Sequence, residues 1–257
     1  MNQQEVNDPN ELGQLLLEVG TSLLNSGASC SRIRITMRRF ASVYGYIPHI
    51  TIGPKSVSLT LNDEVGKLCF SGIRSTNLPG VNFTTISNIS KLSWEAVEQE
   101  LSATVVKDKL DAIFKLPHYP RLVILLAVSL AGSAFCYSFG GRFIEMSITF
   151  GATFLGLFAR QEAVKRGFNL YICVFLGSLV ASLFAGSFIY SGLPIQVEHA
   201  FATSVLFLIP GVPLINAFTD IIDGNILNGM VRGVNALVIS MAIAFGLLTA
   251  MLVYHIY

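Results

Sequence analysis

Asn216, Asp220 and Asp223 follow one another at steps of four and three residues, so a helix through them carries an amide and two carboxylates on one face. Asn228, Arg232 and Asn235 repeat the spacing with two amides around a guanidinium. Asp223-Gly224-Asn225 joins the two stripes, and a helical hairpin would set acid against base. Such a set can hold a proton, hydrogen-bond a polar metabolite, or grip a carboxylate in the planar guanidinium fork. It can equally be a structural ion pair beside an ordinary loop. Just upstream, Pro210-Gly211-Val212-Pro213 places two prolines and a glycine inside an apolar run. Pro210, Gly211 and Pro213 therefore predict a broken helix whose freed carbonyls must be satisfied by protein, water or a ligand. Glu145, near one end of another apolar run, is a further substrate- or proton-binding candidate; solvation at the membrane interface accounts for it almost as well.

Other chemistry is poorly represented. Cys30, Cys69, Cys136 and Cys173 have no close spacing, and His49 and His118 have no paired-ligand setting. No metal, no cofactor and no nucleophile–base pair is expected, and the reading is not an enzyme. A net charge of +1 offers no basic stripe for nucleic acid. Arg32, Arg34, Arg38 and Arg39 cluster on one predicted helix, where a solvated face is the commoner use and contact with anionic lipid or a bound anion the alternative.

The elements that must position these residues divide sharply. Residues 1–120 hold 22 of the 33 charged side chains, and the remaining 137 residues hold 11. So few charges cannot coat a water-soluble surface, whereas lipid needs no such coat. Five apolar runs are read as spans, over residues 122–141, 143–159, 169–190, 200–219 and 233–254. The expected fold class is an α-helical polytopic membrane protein, with about five transmembrane helices and a small cytoplasmic α+β domain over residues 1–120. Lys107, Lys109, Lys115 and Arg121 precede the first span, and Arg160, Lys165 and Arg166 fall between the second and third. The opposite side carries only Arg142, which predicts a cytoplasmic N-terminus and a periplasmic or extracellular C-terminus in the inner membrane. The polar, acidic start has no apolar core and reads as no cleavable signal peptide.

Within the N-terminal region, Leu12, Leu15, Leu16, Val19 and Leu23 predict an amphipathic helix over residues 11–25, with Asn10 as a possible cap. Ile33, Met37, Phe40 and Tyr44 predict a second helix that stops at Gly45. Period-two alternation then predicts two or three antiparallel strands over residues 47–73. Residues 81–90 are ambiguous between strand and loop. Ser93 is read as the N-cap of one helix to about Phe114, with Trp94, Val97, Leu101 and Val105 on its apolar face.

Taken with these elements, the chain resembles the threonine/serine exporter family along nearly its whole length. The resemblance rests on Gly27-Ala28-Ser29 before the arginine-bearing helix that ends at Tyr44-Gly45, and on the β-rich region. Above all it rests on Pro210-Gly211-Val212-Pro213-Leu214-Ile215-Asn216-Ala217 with Asp220, Gly224, Gly229 and Arg232. It implies a secondary exporter of threonine or serine driven by protons. It also implies a split form, in which this chain is the N-terminal component and a smaller YjjB-like membrane chain supplies the rest, with or without homo-oligomerisation. Because the split form is associated with succinate export, a dicarboxylate is the alternative substrate. In the resemblance Asn216 and Asp220 would meet the substrate or the coupling proton, and Arg232 a carboxylate. A membrane-tethered scaffold, sensor or enzyme domain is the remaining alternative.

Overall fold

The computed structural model describes residues 8–76, 80–117, 119–190 and 197–255; His118 and most of the polar start lie outside the described residues. The protein is mostly α-helical, with a small α+β portion near its N-terminus. It divides into two compact units: Met1–Pro117 with Val212–Gly233, and His118–Gly211 with Val234–Tyr257.

The first unit begins with α1 (Pro9–Asn25) and α2 (Cys30–Val43). Asp8 caps α1, two residues before the Asn10 read from sequence, and accepts the Asn10 N–H at 3.0 Å. Three strands follow, β1 (Ile47–Gly53), β2 (Ser56–Asn62) and β3 (Leu68–Ser75), paired antiparallel in the order β1-β2-β3. Alternation in β2 turns Val57, Leu59 and Leu61 inward, where they meet Leu12, Leu16, Val19 and Leu23 of α1 and Ile33, Met37 and Phe40 of α2. Each such side chain contributes about 1.5–3 kcal/mol when fully buried. Gly13 lets the Phe70 ring lie against α1, since a Cβ there would meet its carbons.

The stretch after β3 corrects the single helix expected from Ser93. Two helices form, α3 (Phe83–Glu98) and α4 (Ala103–Phe114), capped by Asn82 and Ser102. Ser93 is a fully buried residue inside α3, and the core face is Ile86, Ile89, Leu92 and Ala96. Trp94, Val97 and Val105 are exposed. The helix stops because Glu100 adopts a φ of 47°, a left-handed conformation that no helix can propagate.

The second unit contains α5 (Arg121–Ser138), α6 (Phe143–Lys165), α7 (Leu170–Gly186), α8 (Val197–Ser204) and a single 3-10 turn at Leu206–Leu208. After an interruption at Ile209–Pro210, α9 (Gly211–Ile222) begins, with Pro213 in its first turn, where the missing N–H costs nothing. α10 (Ile226–Val253) starts in the first unit and continues into the second.

Three described helices, α5, α6 and α10, are long and apolar enough to cross a membrane, and the interrupted α8–α9 pair counts as a fourth if taken as one broken span. At 1.5 Å per residue their 18, 23 and 28 residues reach about 27, 35 and 42 Å. The five-span expectation thus becomes three to four, because α7 has only 17 residues and the run at 200–219 is two short helices. α6 also continues six residues past the expected end of its span, so Arg160 sits within the helix, not in a loop. These helices make the chain a multi-pass membrane protein of the inner-membrane kind.

Candidate functional site

The hairpin of α9 and the first turns of α10 belongs to the first unit. Gly224 makes the turn at a φ of 80°. Gly229 sets the close approach: a Cβ there would lie 2.5 Å from Ile221 Cγ1 and 2.7 Å from the Ala217 carbonyl. The spacing of Asn216, Asp220 and Arg232 then presents three polar side chains to the α1–α2 loop and the start of α2, while Asn228 reaches β1.

Asp220 is fully buried. Its Oδ1 accepts the Cys30 N–H at 2.8 Å, and its Oδ2 accepts the Cys30 thiol at 3.5 Å. Arg232 Nη1 lies 3.2 Å from the same Oδ2, with its side chain only 14% exposed. Arg232 Nη2 donates to the Ala28 carbonyl at 2.8 Å, and Asn216 Nδ2 donates to the Gly27 carbonyl at 2.7 Å. Two further bonds flank them: Arg34 Nη2 donates to Asn225 Oδ1 at 2.9 Å, and Asn228 Nδ2 to the Ile52 carbonyl at 2.7 Å.

The local logic is helix capping. The first N–H groups of a helix lack intrahelical partners and carry partial positive charge. Ser29 takes one of them, the Arg32 N–H, and Asp220 supplies the carboxylate for Cys30. Gly27 reaches this loop at a φ of 81°, which glycine alone adopts readily. Burial pushes the Cys30 thiol up to about 12, helped by the Asp220 carboxylate and opposed by Arg232. The thiol is therefore protonated at neutral pH, as its donation to Oδ2 requires.

Asn216, Asp220 and Arg232 are thus brought together. Asp223 is exposed at the end of α9, and Asn235, in the second unit, accepts the Tyr171 hydroxyl at 3.0 Å. Glu145 is buried in the second unit, where it accepts the Arg142 N–H and caps the start of α6. In the arginine cluster, Arg39 donates to Ser93 Oγ at 2.7 Å and stacks 3.7 Å from the Trp94 ring centre, while Arg32 and Arg38 are exposed. Sequence reading gave no sign of the partners of the hairpin, Cys30 and the Gly27 and Ala28 carbonyls, which no local pattern links to residues about 190 positions away. Among the described residues no group of His, Cys, Asp and Glu could hold a metal ion.

Comparison with known proteins gives these elements a context. The chain is 25% identical over 252 residues to the "Probable succinate transporter subunit YjjP" of Klebsiella aerogenes, covering 97% of this chain and 96% of that protein. It is 26% identical over 245 residues to the protein of the same description from Escherichia coli K12, covering 94% of each. To the "Threonine/serine exporter" of Corynebacterium glutamicum it is 26% identical over 218 residues, 82% of this chain and 44% of that protein. No solved structure matches. The profile of the family described as "Putative threonine/serine exporter" matches residues 14–254, and the chain belongs to that transporter family, ThrE.

Proposed function

We propose that this chain is a subunit of a proton-coupled secondary exporter whose substrate is a small dicarboxylate of the succinate type. The observation that carries the substrate class is the match over almost the whole length of two relatives, each described as a probable succinate transporter subunit. The family description and the Corynebacterium relative favour a hydroxy amino acid, threonine or serine, as the second reading. In the proposed arrangement residues 1–120 face the cytoplasm, following the excess of Lys and Arg on that side. A smaller YjjB-like membrane chain completes the pathway.

Two uses were open for Asn216, Asp220 and Arg232: a substrate site and a structural ion pair. Full burial of Asp220, together with its bonds to Cys30 and its pairing with Arg232, supports the second. The hairpin then acts as a latch on the α1–α2 loop, and transport depends on it indirectly. Counterflow in vesicles carrying both chains, comparing succinate, serine and threonine, tests the substrate. Exchange of succinate above both amino acids is expected; exchange of serine or threonine alone would replace the dicarboxylate reading.

A further inference from the structure

Within the second unit, Glu145, Thr149, Thr153, Gly156 and Arg160 follow at steps of four, four, three and four residues, which holds them on one face of α6. That face is buried: Glu145 is 2% exposed, Thr149 and Thr153 not at all. It runs along α8 and the 3-10 turn in parallel register. Thr149 Oγ1 lies 3.2 Å from Thr203 Oγ1, and Thr153 Oγ1 donates to the Ser204 carbonyl at 3.4 Å. A Cβ at Gly156 would come 3.3 Å from Phe207 and 2.7 Å from the Gly177 carbonyl. A cavity of about 80 Å³, lined by Phe139, His199, Ala202, Thr203 and Leu206, shares Thr203 with this row of hydroxyls.

At the other end of the face stands a half-buried cation. Arg160 packs where Gly177 lets α7 approach, its Cβ 3.1 Å from the position a Gly177 Cβ would take. Its Nε is buried and has no hydrogen-bond partner among the described residues. No described carboxylate pairs with it, and the neighbouring Glu162 is engaged by Arg121 at 3.4 Å and Arg166 at 3.9 Å. Arg160 as a whole is half-buried; leaving a guanidinium nitrogen out of water without a partner is costly, and ionisable groups within a membrane bundle mark substrate pathways. The guanidinium fork matches a carboxylate in two hydrogen bonds.

We infer that the buried face of α6 is the substrate track of the exporter, with Arg160 as the residue that takes a substrate carboxylate. This rests on the transport reading above and adds the site. The hydroxyls of Thr149, Thr153 and Thr203, closed here in bonds to one another and to the Ser204 and His199 carbonyls, continue the row toward the cavity without a second positive charge. The charge of a dicarboxylate suits this arrangement better than a zwitterion, whose ammonium group would be repelled by Arg160.

The test is counterflow of labelled succinate, serine and threonine in vesicles containing this chain and its second membrane component, wild type against Arg160→Gln and Arg160→Lys. Arg160→Gln is expected to lower succinate exchange at least tenfold. Arg160→Lys, which keeps the charge but loses the fork, is expected to raise the half-saturating concentration several-fold. Alkylation of Cys173, buried on α7, reports whether the packing survives each change. If Arg160→Gln fails to fold, Arg160→Lys decides: a wild-type half-saturation in it overturns the assignment. Succinate exchange by a folded Arg160→Gln at the wild-type rate overturns it as well, while leaving the exporter reading intact. A wild type that exchanges none of the three removes the exporter reading, and this inference with it.

Discussion

Asp220→Asn isolates the charge of the latch while keeping its shape. The amide Oδ1 can still accept the Cys30 N–H, now 2.8 Å away, so the cap geometry survives. What disappears is the counter-ion of Arg232, whose guanidinium is 3.2 Å from the carboxylate and 14% exposed. Removing one partner of a buried pair costs about 3–5 kcal/mol, because the other charge is left without compensation. Loss of a negative charge at the start of α2 adds about 0.3–1 kcal/mol. Cys30 is the built-in probe, since it is fully buried and donates to Asp220. In a background with Cys69, Cys136 and Cys173 changed to Ser, maleimide alkylation of Cys30 requires the latch to open. At 1.4 kcal/mol per factor of ten, a loss of 3 kcal/mol raises the alkylation rate about 100-fold. Arg232→Gln should act in the same direction, and the double variant should be less labile than the sum of the two, with a coupling of about 1–3 kcal/mol. Alkylation of Asp220→Asn at the wild-type rate would refute the reasoning. If it also lost export at that unchanged rate, the pair would return to being a substrate site.

Three further outcomes are expected. Gly229→Ala should force α10 off α9 at Ile221 and the Ala217 carbonyl, costing about 1–3 kcal/mol and accelerating Cys30 alkylation. The Cys30 thiol has a folded value raised from 9.0 to about 12, so its contribution is fully present below pH 9 and is lost as pH rises from 9 toward 12; denaturant unfolding should show that loss, and Cys30→Ala should remove it from the pH profile. Glu145→Gln keeps an acceptor for the Arg142 N–H, so folding should change by less than about 1 kcal/mol. If Glu145 carries the coupling proton, the same variant should flatten the pH dependence of export, and an unchanged profile would take Glu145 out of the cycle.

The contrast between well-read and misread elements has a physical basis. α1, α2, β1 and β2 were legible because each turns one face inward, and burial of one face imposes a period on the sequence. α3 was not, because its first turns are rich in Thr, Ser, Asn and Ile, residues of modest helix propensity whose helical state depends on Ile86 and Ile89 reaching the core. Trp94 misled for a related reason: it is large and apolar, yet it lies outside, where its ring carries the Arg39 guanidinium.

Charge was the harder signal. The hairpin residues looked like chemistry because acid and base fell on matching helix faces, and those faces do meet. Their spacing carried no information about the third party, the helix-end N–H of Cys30, which turns the acid into a cap. Arg160 erred in the opposite direction. Counted among the basic residues of a loop, it served only to orient the spans, since hydropathy ends a span at the first charge. The helix does not end there: backbone bonds continue to Lys165, and Gly177 lets α7 pack against the Arg160 Cβ. A span boundary drawn by hydropathy therefore leaves out a charged residue that the helix itself includes. The sequence signature that survives this is the spacing itself. Glu145, Thr149, Thr153, Gly156 and Arg160 form a stripe whose period crosses the apparent boundary unbroken.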